Sequence, residues 1–578
     1  MVTTLADMLV RDLVALGVSR IYGIVGDSLN PIVDAVRRAE GIEWVHVRHE
    51  EAAAFAAAAE AQLTGKLAVC AGSCGPGNLH LINGLYDAHR TGAPVLAIAS
   101  HLPLTQIGTG FFQETHPQQL FTECSHYSEL ISAPEQLPRL LRIAVQTALG
   151  AGGVSVLTIP GDVSSQDAPA PQAEATHLAE RSPVVPSADR IDELVRILDN
   201  AGKVMLFCGD GVRDAHGEVM ALATALSAPV GHSLRGKQWI QYDNPFDVGM
   251  SGLLGYGACY EAMHDADCVV LLGTDFPYDT FLPQQHTVQI DHDLTRFGRR
   301  TPLELAVHGD VKETIALLLE RLRPRTDRSF LDKMLRRHAK LLDKVVEAYT
   351  GNIADRTPIH PEYAAALLDA RAADDAVFTV DTGMGNVWAA RYLTPNGQRR
   401  VIGSFLHGSM ANALPHAIGA QFAYPGRQVI AICGDGGLSM LLGELLTLRL
   451  YDIPVKVVVF NNASLGMVKL EMMVDGYPSF GTDHPAVDFT SIAQACGLPA
   501  LRVENPAGID DALRATFATP GPAVLEIITD PNALSIPPKI TGEMLKGFAL
   551  SAGRTVLGGG VGTMLELARS NIRNIPRP

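Results

Sequence analysis

The stretches VIAICGDGG, from Val429 to Gly437, and VKVVVFNNAS, from Val455 to Ser464, decide the fold. Each is a run of apolar and β-branched residues ending in polar, turn-forming ones, the pattern of a buried parallel strand. The first run leads into Gly434-Asp435-Gly436. After 24 further residues the second ends in Asn461-Asn462. One βα unit between two such strand ends brings Asp435 and Asn462 together at the carboxyl edge of one sheet, where open α/β folds bind ligands. A carboxylate and an amide carbonyl suit Mg²⁺, which fills its shell with water and phosphate oxygens. Gly436 and Gly437 let the backbone approach a diphosphate at the following helix N-terminus. A strand-terminal Gly-Asp-Gly by itself is an ordinary tight turn. The second strand end at this interval turns the reading toward a ligand site.

Outward from this pair, the strands Val377–Asp381 and Ala523–Ile528 complete one α/β block. A second block holds Val204–Cys208, Val269–Gly273 and Thr287–Asp291, and a charged helix over Phe330–Tyr349. A third, at the start of the chain, holds Ile21–Val25, Leu67–Ala71, Pro94–Ser100 and Val154–Ile159. The expected fold class is α/β, with three doubly wound parallel-sheet domains at 1–182, 187–345 and 357–530, and a tail at 531–578. The Pro- and Ala-rich Ser164–Pro186 separates the first two. Domains one and three share a faint echo: an apolar strand ending in Gly (Gly72, Gly434), then a new strand opening on Pro (Pro94, Pro454).

The composition suits this reading. With 578 residues, 47% hydrophobic and 19% charged, the chain is globular, and at roughly 150 residues per domain it has room for several. A net charge of −16 weighs against nucleic acid as a partner. The eight cysteines (70, 74, 124, 208, 259, 268, 433 and 496) include no Cys-x-x-Cys pair and fit a reducing compartment. No signal peptide or membrane-spanning run is read, so the expected location is the cytoplasm.

The pair Gly434-Asp435-Gly436 and Asn461-Asn462 resembles the thiamine-diphosphate-dependent enzymes of the acetolactate synthase and pyruvate oxidase family. Further stretches carry the resemblance: Arg48–Phe55, Ser73–Asn78, Phe112–Pro117, Gly408-Ser409-Met410, and Ile536-Pro537-Pro538 in the tail. It implies that domain one binds the cofactor's pyrimidine, the central domain binds FAD, and domain three binds the diphosphate and Mg²⁺. Asp435, Asn462 and the Ser464 backbone would hold the metal. Asp381, Thr382, Gly383, Gly436 and Gly437 would line the diphosphate. Gly408, Ser409 and Met410 would receive the two cofactor rings, with Met410 wedged between them. Glu50 would bond the pyrimidine nitrogen and relay its proton, a task for a buried carboxyl; read without the family, it is a helix-starting Glu, as Glu51 remains. Phe112, Gln113 and Met467 would face the reacting carbon, and Ser464, Leu465, Gly466, Met467 and Val468 would line the pocket.

In the central domain Gly209-Asp210-Gly211 is a weak nucleotide signal, lacking the third glycine of the dinucleotide fingerprint. The resemblance adds Ser251, Gly252, Leu253 and Leu254, then Thr274, Asp275, Phe276, Pro277 and Tyr278, and Asp291 as FAD contacts. Arg235-Gly236-Lys237 would neutralise the flavin diphosphate or form a solvated loop. The implied reaction is oxidative decarboxylation of pyruvate to acetate and CO₂, with electrons passing through FAD to a membrane quinone. Acetolactate synthesis and O₂-dependent pyruvate oxidation are the alternatives. The family also implies a homotetramer or dimer, because Glu50 and Asp435 meet across a subunit interface there.

The tail has its own signal. On a helical wheel Val561, Met564, Leu565, Ala568 and Ile572 share one face, while Glu566, Arg569, Ser570 and Arg573 lie away from it. Residues 551–578 hold four arginines against one acid. A basic amphipathic helix after Gly558-Gly559-Gly560 fits docking on an anionic lipid surface, peripheral to the inner face of the cell membrane. The other expectation is that it caps the protein's own core and covers the active site.

Overall fold

The computed structural model describes residues 3–571 apart from 170–177, 179–180, 285, 352, 354, 534–541 and 558–560. The Ile536-Pro537-Pro538 stretch, Gly558-Gly559-Gly560 and Ile572 onward thus lie outside the described residues. Among the described residues no helix is long and apolar enough to cross a membrane.

Three sheets stand in sequence. The first contains β1 (Arg20–Gly23), β2 (Glu43–His46), β3 (Ala68–Gly72), β4 (Val95–His101), β5 (Tyr127–Leu130) and β6 (Val154–Pro160) in the order 2-1-3-4-6-5. The second runs from β7 (Val204–Cys208) and β8 (Val230–His232) to β9 (Asp247–Met250), β10 (Tyr256–Gly257), β11 (Cys268–Leu272), β12 (Thr287–Asp291) and β13 (Leu305–His308). Its order is 10-9-8-7-11-12-13. The third holds β14 (Val377–Val380), β15 (Arg400–Gly403), β16 (Val429–Gly434), β17 (Lys456–Asn461), β18 (Ala500–Val503) and β19 (Ala523–Ile528) in the order 15-14-16-17-19-18. Counted within its own sheet this is again 2-1-3-4-6-5. The echo between Gly72 and Gly434 therefore falls on the same step of one topology, the passage from third strand to fourth. All pairings are parallel except β9 with β10, a hairpin that the sequence pattern did not reveal. The expected helix Phe330–Tyr349 is regular only over Ser329–Leu341.

Domains one and three are welded by small residues. The helix Glu50–Thr64 is rich in alanine, and its alanines are buried. A Cβ on Gly84 of the helix Pro76–Thr91 would lie 2.6 Å from Ala54 Cβ, and one on Gly419 of the helix Ala413–Ala423 would lie 2.0 Å from the Ala56 oxygen. Three helices thus meet at backbone distance, with the buried pair His416 Nε2 and Asp87 Oδ2 at 3.1 Å between them. Close packing fixes where the Glu50 end of that helix stands relative to domain three. The cysteines are free thiols, all buried except the half-buried Cys496.

Candidate active site

Asp435 and Asn462 follow neighbouring strands, β16 and β17, as the spacing requires. The Asp435 carboxylate is buried; Oδ1 accepts from Gly436 N at 2.9 Å and Oδ2 from Asn462 N at 3.1 Å. Burial raises its pKa, against those backbone donors and His484. Asn462 Oδ1 accepts from Ser464 N at 3.0 Å, and Ser464 Oγ donates to Asp483 Oδ1 at 2.8 Å. The donor set is oxygen, from a carboxylate and an amide, and fits a hard cation such as Mg²⁺. His484 Nε2, 3.7 Å from Asp435 Oδ2, is buried without a hydrogen-bond partner, a polar atom left for a ligand.

Asp381 lies one strand away, at the end of β14. Its Oδ1 accepts from Thr382 N and Asn412 Nδ2. Burial pushes its pKa up to about 7, against donors from Thr382, Asn412, Ala411 and Gly434. A Cβ on Gly437 would lie 1.7 Å from Asp381 Oδ2, and one on Gly436 would meet Leu465 at 2.6 Å and Met410 at 3.4 Å. Asp381, Met410, Gly436, Gly437 and Leu465 thus surround one cradle. Gly466 closes on Asn462 and Met384, and Gly383 and Gly408 take positive φ at the loops that open toward it. Asn412 also donates to the Ser409 oxygen and accepts from Ser404 N, so it ties the Gly408–Met410 loop to Asp381.

Glu50 is the first residue of its helix, capped by His49, and only 7% exposed. Its Oε2 is 2.9 Å from His80 Nδ1. Ligand-type atoms of His49, Glu50 and His80 lie within 4.8 Å of one another. Hydrogen bonds already occupy two of these imidazole nitrogens, since His49 Nδ1 accepts from Glu51 N. Asn83 donates both to Glu51 Oε1 and to Ser409 Oγ, at 2.6 and 2.8 Å, and links this corner to domain three. Glu444 does the same from the other side, accepting from Arg48 N.

Phe112 stands 78% exposed on a loop held by Glu114, which accepts from the N–H groups of Gly108, Gly110 and Phe111. Gln113 has φ +65° and faces Cys74 Sγ at 3.4 Å, against Gly75. Met467 and Val468 open the helix Gly466–Val474, Met467 half-buried and Val468 exposed. Glu471, one turn on, acts electrostatically on Tyr278, whose phenol is raised first by burial and then by that charge. Leu254 of the neighbouring central-domain loop and Met467 pack against the same apolar cluster.

In the central domain a Cβ on Gly252 would meet Phe276 and Tyr278, so the loops Ser251–Leu254 and Thr274–Tyr278 converge. Leu253 is exposed and Leu254 packs toward domain three, while Asp275 is paired with Arg299. Asp291 Oδ2 and Ser251 Oγ are buried with no hydrogen-bond partner, which suits a polar ligand along this edge. Asp210 of the weak Gly-Asp-Gly signal is held within the protein, accepting from Arg235 and from Trp239 Nε1. One expectation fails. Lys237 is buried and donates to the Ala390 oxygen at 2.6 Å, capping the helix Met384–Tyr392, so it is neither a diphosphate partner nor a solvated loop residue.

The tail helices Gly542–Leu557 and Val561–Asn571 lie on domain three. Ser551 and Arg554 donate to the carbonyls of Tyr477 and Gly476, directly after the Met467 helix. Leu567 packs on Met473 and Leu470 of that helix, and Ser570 donates to Asp530. The buried face is Leu567, Ser570 and Asn571, with Leu565 56% exposed. Of the expected apolar face only the Leu565 side chain is described, and it is exposed, whereas Ser570, placed on the polar face, points in.

Sequence reasoning missed Asn412, His484, His80 and Glu471. It also missed three left-handed non-glycine residues, Gln113, Ala411 and Ala463, each in a site loop. Strain gathered at loops of this kind goes with function.

With this geometry in place, the comparisons are decisive for family. Residues 3–120, 191–318 and 381–527 match the N-terminal, central and C-terminal domains of thiamine pyrophosphate enzymes. A putative thiamine pyrophosphate-containing protein of Bacillus subtilis is 34% identical over 535 residues, 92% of each chain. Pyruvate oxidase of Lactiplantibacillus plantarum is 32% identical, covering 86% of this chain and 83% of its own. A probable chloroplastic acetolactate synthase of Oryza sativa is 30% identical, covering 90% and 82%. The chain belongs to the thiamine pyrophosphate enzyme family.

Proposed function

We propose that the protein oxidises pyruvate to acetate and CO₂ with thiamine diphosphate, Mg²⁺ and FAD, and delivers the electrons to a membrane quinone. The observation that carries this reading is the crowding of the Met467 helix. Leu254 of the proposed flavin loops shares an apolar cluster with Met467, and Leu567 of the tail packs on Met473 and Leu470 of the same helix. Thiamine diphosphate, when bound, supplies the electron sink for decarboxylation, and FAD the two-electron acceptor. Asp435, Asn462 and the Ser464 backbone hold Mg²⁺. Asp381 to Gly383, Gly436 and Gly437 bind the diphosphate, Gly408 to Met410 position the rings, and Glu50 holds the ring proton. Phe112, Gln113, Met467 and Val468 shape the space for pyruvate. Ser251 to Leu254, Thr274 to Tyr278 and Asp291 hold FAD. The exposure of Phe112 supports a homotetramer or dimer, in which a second subunit covers that loop. Exposed Phe548, Leu550 and Leu565 on a basic tail support docking on anionic lipid at the inner face of the cell membrane.

Its overall balance is pyruvate plus water giving acetate, CO₂, two electrons and two protons. The purified protein, supplied with all three cofactors and pyruvate, is assayed with ferricyanide or a soluble quinone, with O₂, and for acetolactate. Acceptor-dependent acetate formation is expected. Acetolactate as the main product, or peroxide with no quinone reduction, overturns the quinone reading in favour of one of the two named relatives' activities.

A further inference from the structure

The two oxygens of Glu50 have different neighbours. Oε2 stands 2.9 Å from His80 Nδ1. Oε1 faces Gly77, where a Cβ would come within 3.0 Å, so a glycine keeps the space beside it clear. One oxygen is engaged by an imidazole and the other looks onto room left for a ligand. Exposure separates the partners as well: the Glu50 side chain is 9% exposed and that of His80 45%. His49 stacks on the His80 ring, with centroids 4.4 Å apart and planes at 24°, and is itself fixed as the helix cap. The imidazole is thus held in one plane, with one edge on a buried carboxyl and the other exposed on this chain, toward the cleft that a second subunit would border.

The geometry points to His80 as the proton port of Glu50, a reading that rests on Glu50 as the cofactor-binding carboxyl. A buried acid that trades a proton with a bound aminopyrimidine must also trade it with water, and a half-exposed imidazole is suited to that exchange near neutral pH. In the step, the O–H bond at Glu50 Oε2 breaks as an N–H bond forms at His80 Nδ1. The N–H at Nε2 then gives its proton to water, and the reverse sequence reloads the acid. No electrons move. The titratable groups facing His80 are Glu50 and His49, with Glu51 behind His49. His80 also belongs to a helix face that continues through Asn83 to Ser409, so its position is set by both domains.

The test uses the full-length protein with bound thiamine diphosphate, following hydrogen–deuterium exchange at the cofactor C2. His80→Ala is expected to slow exchange by about 10²-fold, at the low end of general acid–base effects. Cofactor affinity should stay within about 3-fold, and added imidazole should restore exchange. His80→Gln keeps a donor for Glu50 but cannot pass a proton on, so it should be equally slow. Wild-type exchange in His80→Gln, or no rescue of His80→Ala by imidazole, overturns the port. A second readout needs no cofactor: in ¹⁵N-histidine spectra of the apoprotein, Glu50→Gln should move the His80 Nδ1 resonance, and an unmoved resonance also overturns the proposal. Glu50→Gln is examined for C2 exchange alongside. Wild-type exchange there removes Glu50 itself from the relay, an outcome distinct from failure at His80.

Discussion

The carboxylate of Asp381 occupies the space that a side chain on Gly437 would need, since a Cβ there falls 1.7 Å from Oδ2. The third glycine of the Gly-Asp-Gly-Gly run, Gly437, is thus required by a residue on the neighbouring strand end, apart from any ligand. Gly437→Ala is expected to cost about 1–3 kcal/mol, as overpacking does, and to weaken thiamine diphosphate binding. Asp381→Ala in the same chain should recover part of the stability. Denaturant unfolding of both single variants and the double variant checks this; additive losses would mean the two positions do not press on each other.

Stability should carry a pH signature of buried acids. Burial raises Asp381 to about 7, and likewise Glu444, whose carboxylate accepts from Thr447 and Arg48. Unfolded, such groups ionise near 4. Their contribution is therefore full below that value and lost as the pH rises through about 7. Asp381→Asn should gain stability on the apoprotein wild type at pH 8 and none at pH 4. An equal difference at both pH values would remove Asp381 as the source.

Asp435→Ala should abolish the Mg²⁺ dependence of thiamine diphosphate binding while leaving flavin absorbance unchanged, because the proposed flavin loops belong to another domain. Fluorescence titration with Mg²⁺ and with EDTA reads this directly. A variant that still needs Mg²⁺ for wild-type affinity would place the metal elsewhere.

Deleting residues 559–578 should raise turnover with soluble acceptors and end sedimentation with anionic vesicles. Leu567→Asp, which removes the apolar contact with Met473 and Leu470, should raise turnover in the full-length chain without preventing vesicle binding. If the truncated protein sediments like the intact one, the membrane role of the tail falls.

What the sequence disclosed and what it hid divide along physical lines. The central strands β3, β4, β16, β17 and β19 are buried on both faces and read as unbroken apolar runs. Edge strands such as Glu43–His46, Tyr127–Leu130 and Ala500–Val503 are half-exposed, mixed in composition, and gave no such run. The Asp435–Asn462 spacing was legible because one βα unit sets its geometry. Lys237 was misread because its partner is a carbonyl 153 residues further along the chain. The left-handed Ala411 and Ala463 carry no glycine or asparagine to announce them. The tail's buried face was missed because two of its three described members, Ser570 and Asn571, are polar and satisfied by hydrogen bonds to Asp530 and Asn532.

The strand order 2-1-3-4-6-5, present twice in one chain, bears on how such a site can change. In a homodimer of identical single sheets, any substitution at the carboxyl edge would appear in both halves at once. Here the two edges are written separately. One keeps a buried acid beside an imidazole, and the other keeps oxygen ligands between glycines. A substitution in one edge is not copied into the other, and a division of labour between the two becomes heritable in a single polypeptide.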